Sequence, residues 1–256
     1  ISGKLINDIE FPENYDDEDD VIGRKNTEKI VLLMAMVIKI SGINSNGTQT
    51  MLFDDIYVSE IKNLEIECKE KEDGRGLGVY LANSTIDSKF TNCSITGNRI
   101  EIDGYCSAMI KEAYASEFIH CINNADIIYN NNTQIVAGLV CGAENCIFDK
   151  CENNGNIAAT KAFVVGGIIA QAKNCIIKDC INRGDITTYG YTAGIVAGVT
   201  NTDNRPCTTS ITGCTNEGKV ESIAKGNHTY TAGICIIYNG SNGSTYADEL
   251  IINNCD

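Results

Sequence analysis

The sequence predicts an all-β fold, a right-handed parallel β-helix (solenoid) of ~29-residue, three-strand turns with an N-terminal cap. Three observations carry that prediction. A cysteine-anchored segment recurs along the chain: FTNCSITGN (90–98), FIHCINNAD (118–126), FDKCENNGN (148–156), IKDCINRGD (177–185), ITGCTNEGK (211–219) and INNCD (252–256). Each repeat holds three short β-branched blocks separated by Asn/Gly corners, which is the content of one β-helix turn. No long amphipathic stretch of 3.6-residue period is present, so helical repeats of similar length are excluded.

The first 59 residues lack the repeat and form a separate acidic segment and cap. DIEFPENYDDEDD (8–20) carries eight acids in 13 residues. The run at 16–20 lacks the spaced carboxylates and glycine of a calcium loop, which leaves a solvated acidic loop. EKIVLLMAMVIKI (28–40) is apolar throughout and reads as the cap or as the first buried strand, because an open solenoid end must be covered. Its longest apolar run is nine residues, Ile30 to Ile38, about half of what a bilayer requires, so no membrane insertion is expected.

Residues 60–256 are the solenoid. The anchors Cys93, Cys121, Cys151, Cys180, Cys214 and Cys255 lie 28, 30, 29, 34 and 41 residues apart. Phe or Ile stands three residues before each anchor, and Gly97, Ala125, Gly155, Gly184 and Gly218 stand four after it. Ile127, Ile157, Ile186 and Val220 follow at plus six; the first copy is one residue out, at Ile100. An odd separation between the Phe/Ile and the Cys would put them on opposite faces of a straight strand, so a bend lies between them. Second apolar blocks read VAGLV (136–140), VGGII (165–169), TAGIV (192–196) and TAGIC (231–235). Their Gly-Gly or Ala-Gly pairs mark a tight corner or a close approach. Insertions at 200–210 and 224–246 become loops on one side. IINNC (251–255) opens another repeat, which predicts a larger parent continuing beyond the C-terminus.

Equivalent residues of stacked turns form columns. Asn123, Asn153, Asn182 and Asn216 share position plus two and predict an amide ladder; the alternative is an exposed stripe that binds sugar hydroxyls. The cysteine columns are either disulfide-linked or stacked thiols acting as small core groups. No C-x-x-C pair exists among the 13 cysteines, so no metal or other cofactor is expected. Arg183-Gly184-Asp185 spells RGD, but Gly184 is the corner glycine of the repeat, and register explains the triplet. His120 and His228 have no local nucleophile arrangement.

The net charge of −14 leaves nothing to neutralise phosphates, so nucleic acid is excluded as a partner. Seven N-x-S/T sequons begin at Asn46, Asn83, Asn92, Asn131, Asn227, Asn239 and Asn242. With the cysteine count they point outside the cell, to a secreted or cell-surface protein.

The segments CENNGNI…VGGIIA (151–170) and CINRGDI…AGIVAG (180–198) resemble the GLUG-type repeats of large bacterial and protist surface proteins, including IgA-peptidase-like and haemagglutinin-like exoproteins. FTNC and VGGII resemble the repeats of chlamydial polymorphic outer-membrane proteins. The resemblance covers residues 60–256 and implies the passenger or stalk region of an adhesin.

The expected function is therefore a non-enzymatic extracellular repeat module, adhesin-like or structural. Its partners would be an extracellular protein or carbohydrate, or further repeats of the same protein. The alternative is a polysaccharide-degrading β-helix enzyme, a lyase or glycoside hydrolase, using corner acids such as Asp126, Asp149, Asp179 and Asp185. An exposed aromatic patch near Tyr189, Tyr191, Tyr230 and Tyr238 would favour binding over a pure spacer.

Overall fold

The computed structural model describes residues 9–10, 31–32, 38–41, 50–68, 79–97, 99–101, 106–129, 135–199, 208–224, 230–237 and 249–256. Among these every element is a β-strand and every strand pairing is parallel. One turn runs through five strands: Glu117–Ile119 on sheet 1, Ile122–Asn123 on sheet 2, Asp126–Ile128 on sheet 3, Ile135–Ala137 on sheet 4 and Val140–Glu144 on sheet 5. The chain then returns to sheet 1 at Ile147–Asp149, one level higher. The molecule is a parallel β-solenoid, with sheets 1 and 2 each eight strands deep among the described residues.

The five strands correct the expected three-strand turn. Two of the three apolar blocks are split by corners too short to be visible as breaks in composition. The anchor block divides between Asn123 and Asp126, and the second block divides at its glycine pair. The ladders also begin before the boundary drawn at residue 60. Ile9–Glu10 pairs with Ile40–Ser41, Val31–Leu32 with Glu60–Ile61, and Thr50–Tyr57 with the strand Val79–Ile86. The part of 28–40 that is described therefore supplies strands to two sheets. The acidic run 16–20 lies outside the described residues.

The bend between the Phe/Ile and the Cys is a single left-handed residue. Asn92, His120, Lys150, Asp179, Gly213 and Asn254, each one position before an anchor cysteine, have φ between 50° and 65°. That reverses the alternation once, so Phe118 and Cys121 both point inward and are fully buried. A second left-handed column, Val58, Asp87, Ala115, Asn145 and Asn174, turns sheet 5 into sheet 1 with φ between 46° and 56°.

The residue after each of these bends is small and carries a donor, whereas the bend at Asn63 (φ 54°) is followed by Leu64. Ser59, Ser88 and Ser116 donate to the carbonyls of Tyr57, Ile86 and Tyr114 at 2.6, 2.9 and 2.8 Å. In the turns above, Cys146 and Cys175 donate to Glu144 and Lys173 at 3.2 Å. The anchor thiols repeat the pattern, for example Cys180 to Lys178 at 3.4 Å. Cysteine here is a serine-like corner cap that also packs as a small hydrophobe.

Val58 is the costly member of this set. A β-branched residue at φ 47° is strained, and its side chain, 53% exposed, gains little from burial. Asn occupies two of the equivalent bends in the same column, Asn145 and Asn174. Val58→Asn is expected to stabilise the fold by about 1 kcal/mol, read as a raised urea midpoint; an unchanged or lower midpoint would refute the strain assigned to this corner.

The core fills the tube in columns. Phe90, Phe118 and Phe148 stack at 5.0 and 4.8 Å within 8° of parallel, below Ile177 and Ile211. The plus-six column runs Ile100, Ile127, Ile157, Ile186, Val220 in unbroken register, although the first copy is one residue longer. The extra residue falls between Ile95, in register with Asn123, and Ile100, in register with Ile127.

The amide ladder forms as expected and lies in the core. Nδ2 of Asn123, Asn153 and Asn182 donates to Oδ1 of the next asparagine at 2.8, 2.7 and 2.8 Å. The second N–H of each amide reaches the carbonyl two residues on, at Ala125, Gly155 and Gly184, each at 2.9 Å. Against this row stand Gly138, Gly167 and Gly194 of the second block. A Cβ on Gly167 would lie 2.7 Å from Cγ of Asn182. The tube is therefore pinched, and the corner between sheets 4 and 5 touches the opposite wall.

Candidate functional site

The pinched corner has a second consequence, on the outside. Ile135, Ala137, Cys141, Val164, Ala170, Ala193 and Ala197 are buried, yet they alternate with the core residues Val136, Val140, Val165 and Val196. They point out of the tube from sheets 4 and 5 and form their own apolar cluster. Outer faces of two neighbouring sheets can pack together only where the corner between them folds inward. Cys141 donates across it to the carbonyl of Ile135 at 3.9 Å, and Ser107 to that of Ile110 at 2.7 Å. Both faces of these strands are buried, which is why VAGLVCGA (136–143) and TAGIVAGV (192–199) read as unbroken apolar runs.

Two different walls flank the corner. On sheet 4 the column Ile135, Val164, Tyr191 continues to Tyr230, with Phe163 and Tyr189 beside it. Tyr191 and Tyr230 stack at 5.3 Å and 11°, and Phe163 meets the edge of Tyr191 at 4.9 Å. Tyr189 and Tyr230 are each 55% exposed and Phe163 is 39% exposed. Tyr238, the fourth ring of the expected patch, lies outside the described residues.

On sheet 5 the matching outward column is Asp55, Ser84, Glu112, Gly142, Gln171, Gly198. At its lower end Ser84 Oγ donates to Asp55 Oδ1, and the Tyr57 hydroxyl donates to Asp55 Oδ2 at 3.3 Å. Glu112 folds over Gly142, so that a Cβ there would overlap its Oε2. Its carboxyl is half-buried and accepts no hydrogen bond among the described residues. Desolvation holds its pKa above the usual carboxylate range, opposed by the nearby Lys111 charge. An ion pair, Lys173 Nζ to Glu144 at 3.0 Å, borders the wall. Glu112 lies two turns below Phe163 and four below Tyr230, so the carboxyl and the rings occupy different levels of the corner.

Other residues singled out in the sequence have structural work. Asp185 accepts the backbone N–H of Lys219 at 2.8 Å, while its own N–H donates to Asn156 at 2.9 Å. Arg183 pairs with Glu152 at 2.6 Å and Glu217 at 3.3 Å, and a Cβ on Gly184 would lie 1.9 Å from the carbonyl of Gly155. The RGD triplet is thus a rung of the corner. Asp126 likewise accepts the N–H of Asn156 at 2.7 Å. Asp149 and Asp179 stand at the first bend, on successive turns. No group of three His, Cys, Asp or Glu side chains able to hold a metal is present among the described residues. His120 is an exposed bend residue; His228 lies outside the described residues.

Of the sequons, Asn92 is an exposed bend residue whose Nδ2 donates to Asn63 at 3.1 Å, and Asn83 is half-buried on sheet 5. Asn46, Asn131, Asn227, Asn239 and Asn242 lie outside the described residues, as do most of the two long insertions. Eleven cysteines among the described residues are free thiols. In the columns the thiols donate to backbone carbonyls.

Burial pushes the Cys68 thiol up to about 12, aided by the Glu67 charge, and the Cys235 thiol also to about 12. A thiol whose folded pKa is raised stabilises the fold fully below its unfolded pKa, about 8.5, and loses that contribution as pH rises towards 12. Stability should therefore fall between pH 8.5 and 12, by about 1 kcal/mol per pH unit for Cys68 alone. Urea midpoints at pH 7.5 and 10 measure it, and Cys68→Ser should flatten the dependence.

Comparison with known proteins gives no assignment: no protein-family model matches the chain, and no curated protein matches it.

Proposed function

We propose that this chain is a non-enzymatic ligand-binding module of an extracellular or cell-surface repeat protein, with the outer corner as its contact surface. The observation that supports this reading best is the ring cluster of Phe163, Tyr191 and Tyr230, with exposed Tyr189 two residues before Tyr191, on a face held by parallel ladders. A pure spacer needs no such patch, and rings fixed on a rigid scaffold lose little entropy when they bind. The resemblance of residues 60–256 to GLUG-type repeats of surface proteins and adhesins points the same way. An extracellular setting is compatible with the unlinked thiols, because nine of the eleven are buried away from oxidants.

The test incubates the purified chain, with and without calcium, with neutral and acidic polysaccharides and with cultured cells. Adsorption and released oligosaccharides are both measured. Adsorption without release, weakened by Tyr189→Ala and Tyr230→Ala, is the expected result. Released oligosaccharides would replace the binding reading with a polysaccharide-degrading one. No adsorption to any surface would leave a spacer.

A further inference from the structure

We infer that the anchor thiols form a binding site for soft monovalent cations, Cu+ or Ag+, held one per gap between successive turns. Cys93, Cys121, Cys151, Cys180, Cys214 and Cys255 occupy one register position, fixed by the ladders on either side of them. The first five are buried, and Cys255, at the upper end, is half-buried. From Cys93 to Cys214 each thiol lies within side-chain hydrogen-bond reach of the next. Leu64 closes the run below.

Capping alone does not account for so uniform a column. The neighbouring corner builds the same cap from Ser59, Ser88, Ser116, Cys146, Cys175 and Thr209, all buried. That corner accepts serine, cysteine or threonine, whereas six successive turns place cysteine at the anchor. What distinguishes the anchor column is an unbroken line of sulfur.

Successive turns stand about 4.8 Å apart. A disulfide needs Cβ atoms about 3.8 Å apart, so neighbours cannot join without drawing two turns together. A cation bridging two sulfurs in line needs about 4.6 Å, with metal–sulfur bonds of roughly 2.3 Å as in zinc thiolates. Each ion replaces the proton between two sulfurs: RSH + M+ gives RS–M + H+. The sulfur of the next turn completes a two-sulfur coordination, and no net charge enters the core. A divalent ion would require two thiolates and further ligands that the column lacks, in line with the absence of any three-ligand group among the described residues. Soft thiolate ligands favour Cu+ over harder ions. The net charge of −14 draws cations to the molecule, and the half-buried Cys255 gives them entry, from which they pass sulfur to sulfur.

The test titrates the reduced chain anaerobically with Ag+ and counts retained ions by native mass spectrometry after excess ion is removed. The six anchors leave five gaps. Cys151→Ser combined with Cys180→Ser leaves two of the five, one between Cys93 and Cys121 and one between Cys214 and Cys255. Cys146→Ser combined with Cys175→Ser removes the single gap of the neighbouring corner. The first pair should therefore lower the count by about three ions and the second by about one. Serine keeps the cap in both, so the β-sheet circular dichroism should not change. X-ray absorption on the unsubstituted chain, which needs no variant to fold, should find two sulfur neighbours around each silver. Thiols that react independently would lose two ions in each double variant, and such equal losses would overturn the inference. So would three or more sulfurs around each ion, or loss of the sheet signal as silver binds.

Discussion

Gly167→Ala is expected to destabilise the solenoid by about 3 kcal/mol or more, although it adds a single methyl group. The new Cβ would stand 1.9 Å from the carbonyl oxygen of Gly194, one turn above, and 2.7 Å from Cγ of Asn182. Neither neighbour can yield cheaply. The first is backbone fixed by parallel ladders on both sides, and the second belongs to the buried amide row. Relief requires the turns to separate or the waist to widen, and either breaks hydrogen bonds on sheets 4 and 5. With a urea slope of about 3 kcal/mol per molar, the midpoint should fall by roughly 1 M. Gly233 occupies the equivalent place on the uppermost described turn, and a Cβ there meets nothing within 4 Å. Gly233→Ala should therefore lie within about 0.5 kcal/mol of the parent. Equal effects at the two positions would mean that conformational freedom, not close approach, is what the column requires.

That column was visible in the sequence, and the reason for it was not. The Gly-Gly and Ala-Gly pairs of the second block signal a close approach, but nothing in a linear pattern says what approaches. The partner is an asparagine some fifteen residues further along, on the opposite wall, as with Gly138 and Asn153. Features that repeat as residue types were legible: the period, the anchor cysteines, the amide row, and the register that makes RGD incidental. Features carried by backbone alone were not. The left-handed bends mix His120, Lys150, Asp179, Ala115 and Val58 with Asn63, Asn92, Asn145, Asn174 and Asn254, so residue type alone does not mark them.

The candidate site was legible only on one side. Tyr189, Tyr191 and Tyr230 stand out as aromatics in a sequence with few of them. Glu112 does not, because an outward acid in a strand reads as solvated; its half-burial comes from the glycine above it at position 142. One signal for the corner was present in the sequence. A strand with one face in water alternates, and VCGAE (140–144) and IAQAK (169–173) do not. Loss of alternation over a run too short for a helix indicates burial on both faces. In a solenoid that requires an inward-folded corner or a covering segment.

The amide row makes the second large prediction. Asn153→Ala removes an acceptor for Asn123 Nδ2 at 2.8 Å and donors to Asn182 Oδ1 at 2.7 Å and the Gly155 carbonyl at 2.9 Å. Three groups lose partners at once in a fully buried place, with no route for water past the glycine wall. The expected loss is about 3 kcal/mol. Asn216→Ala, at the half-exposed upper end of the row, should cost about 1 kcal/mol, because solvent can replace what is lost there. Asn153→Asp separates the hydrogen-bond contribution from side-chain volume. An ionised carboxylate keeps the shape but cannot donate and cannot remain charged in the core without cost, so its folded pKa should rise above the unfolded value of about 4. A group shifted that way stabilises the fold below its unfolded pKa and loses that stability as pH rises through the folded one. The aspartate variant should therefore be much weaker than the parent at pH 7 and recover part of the difference near pH 4. If Asn153→Asp matches the parent at pH 7, the amide row contributes packing only, and its hydrogen bonds carry no net stability.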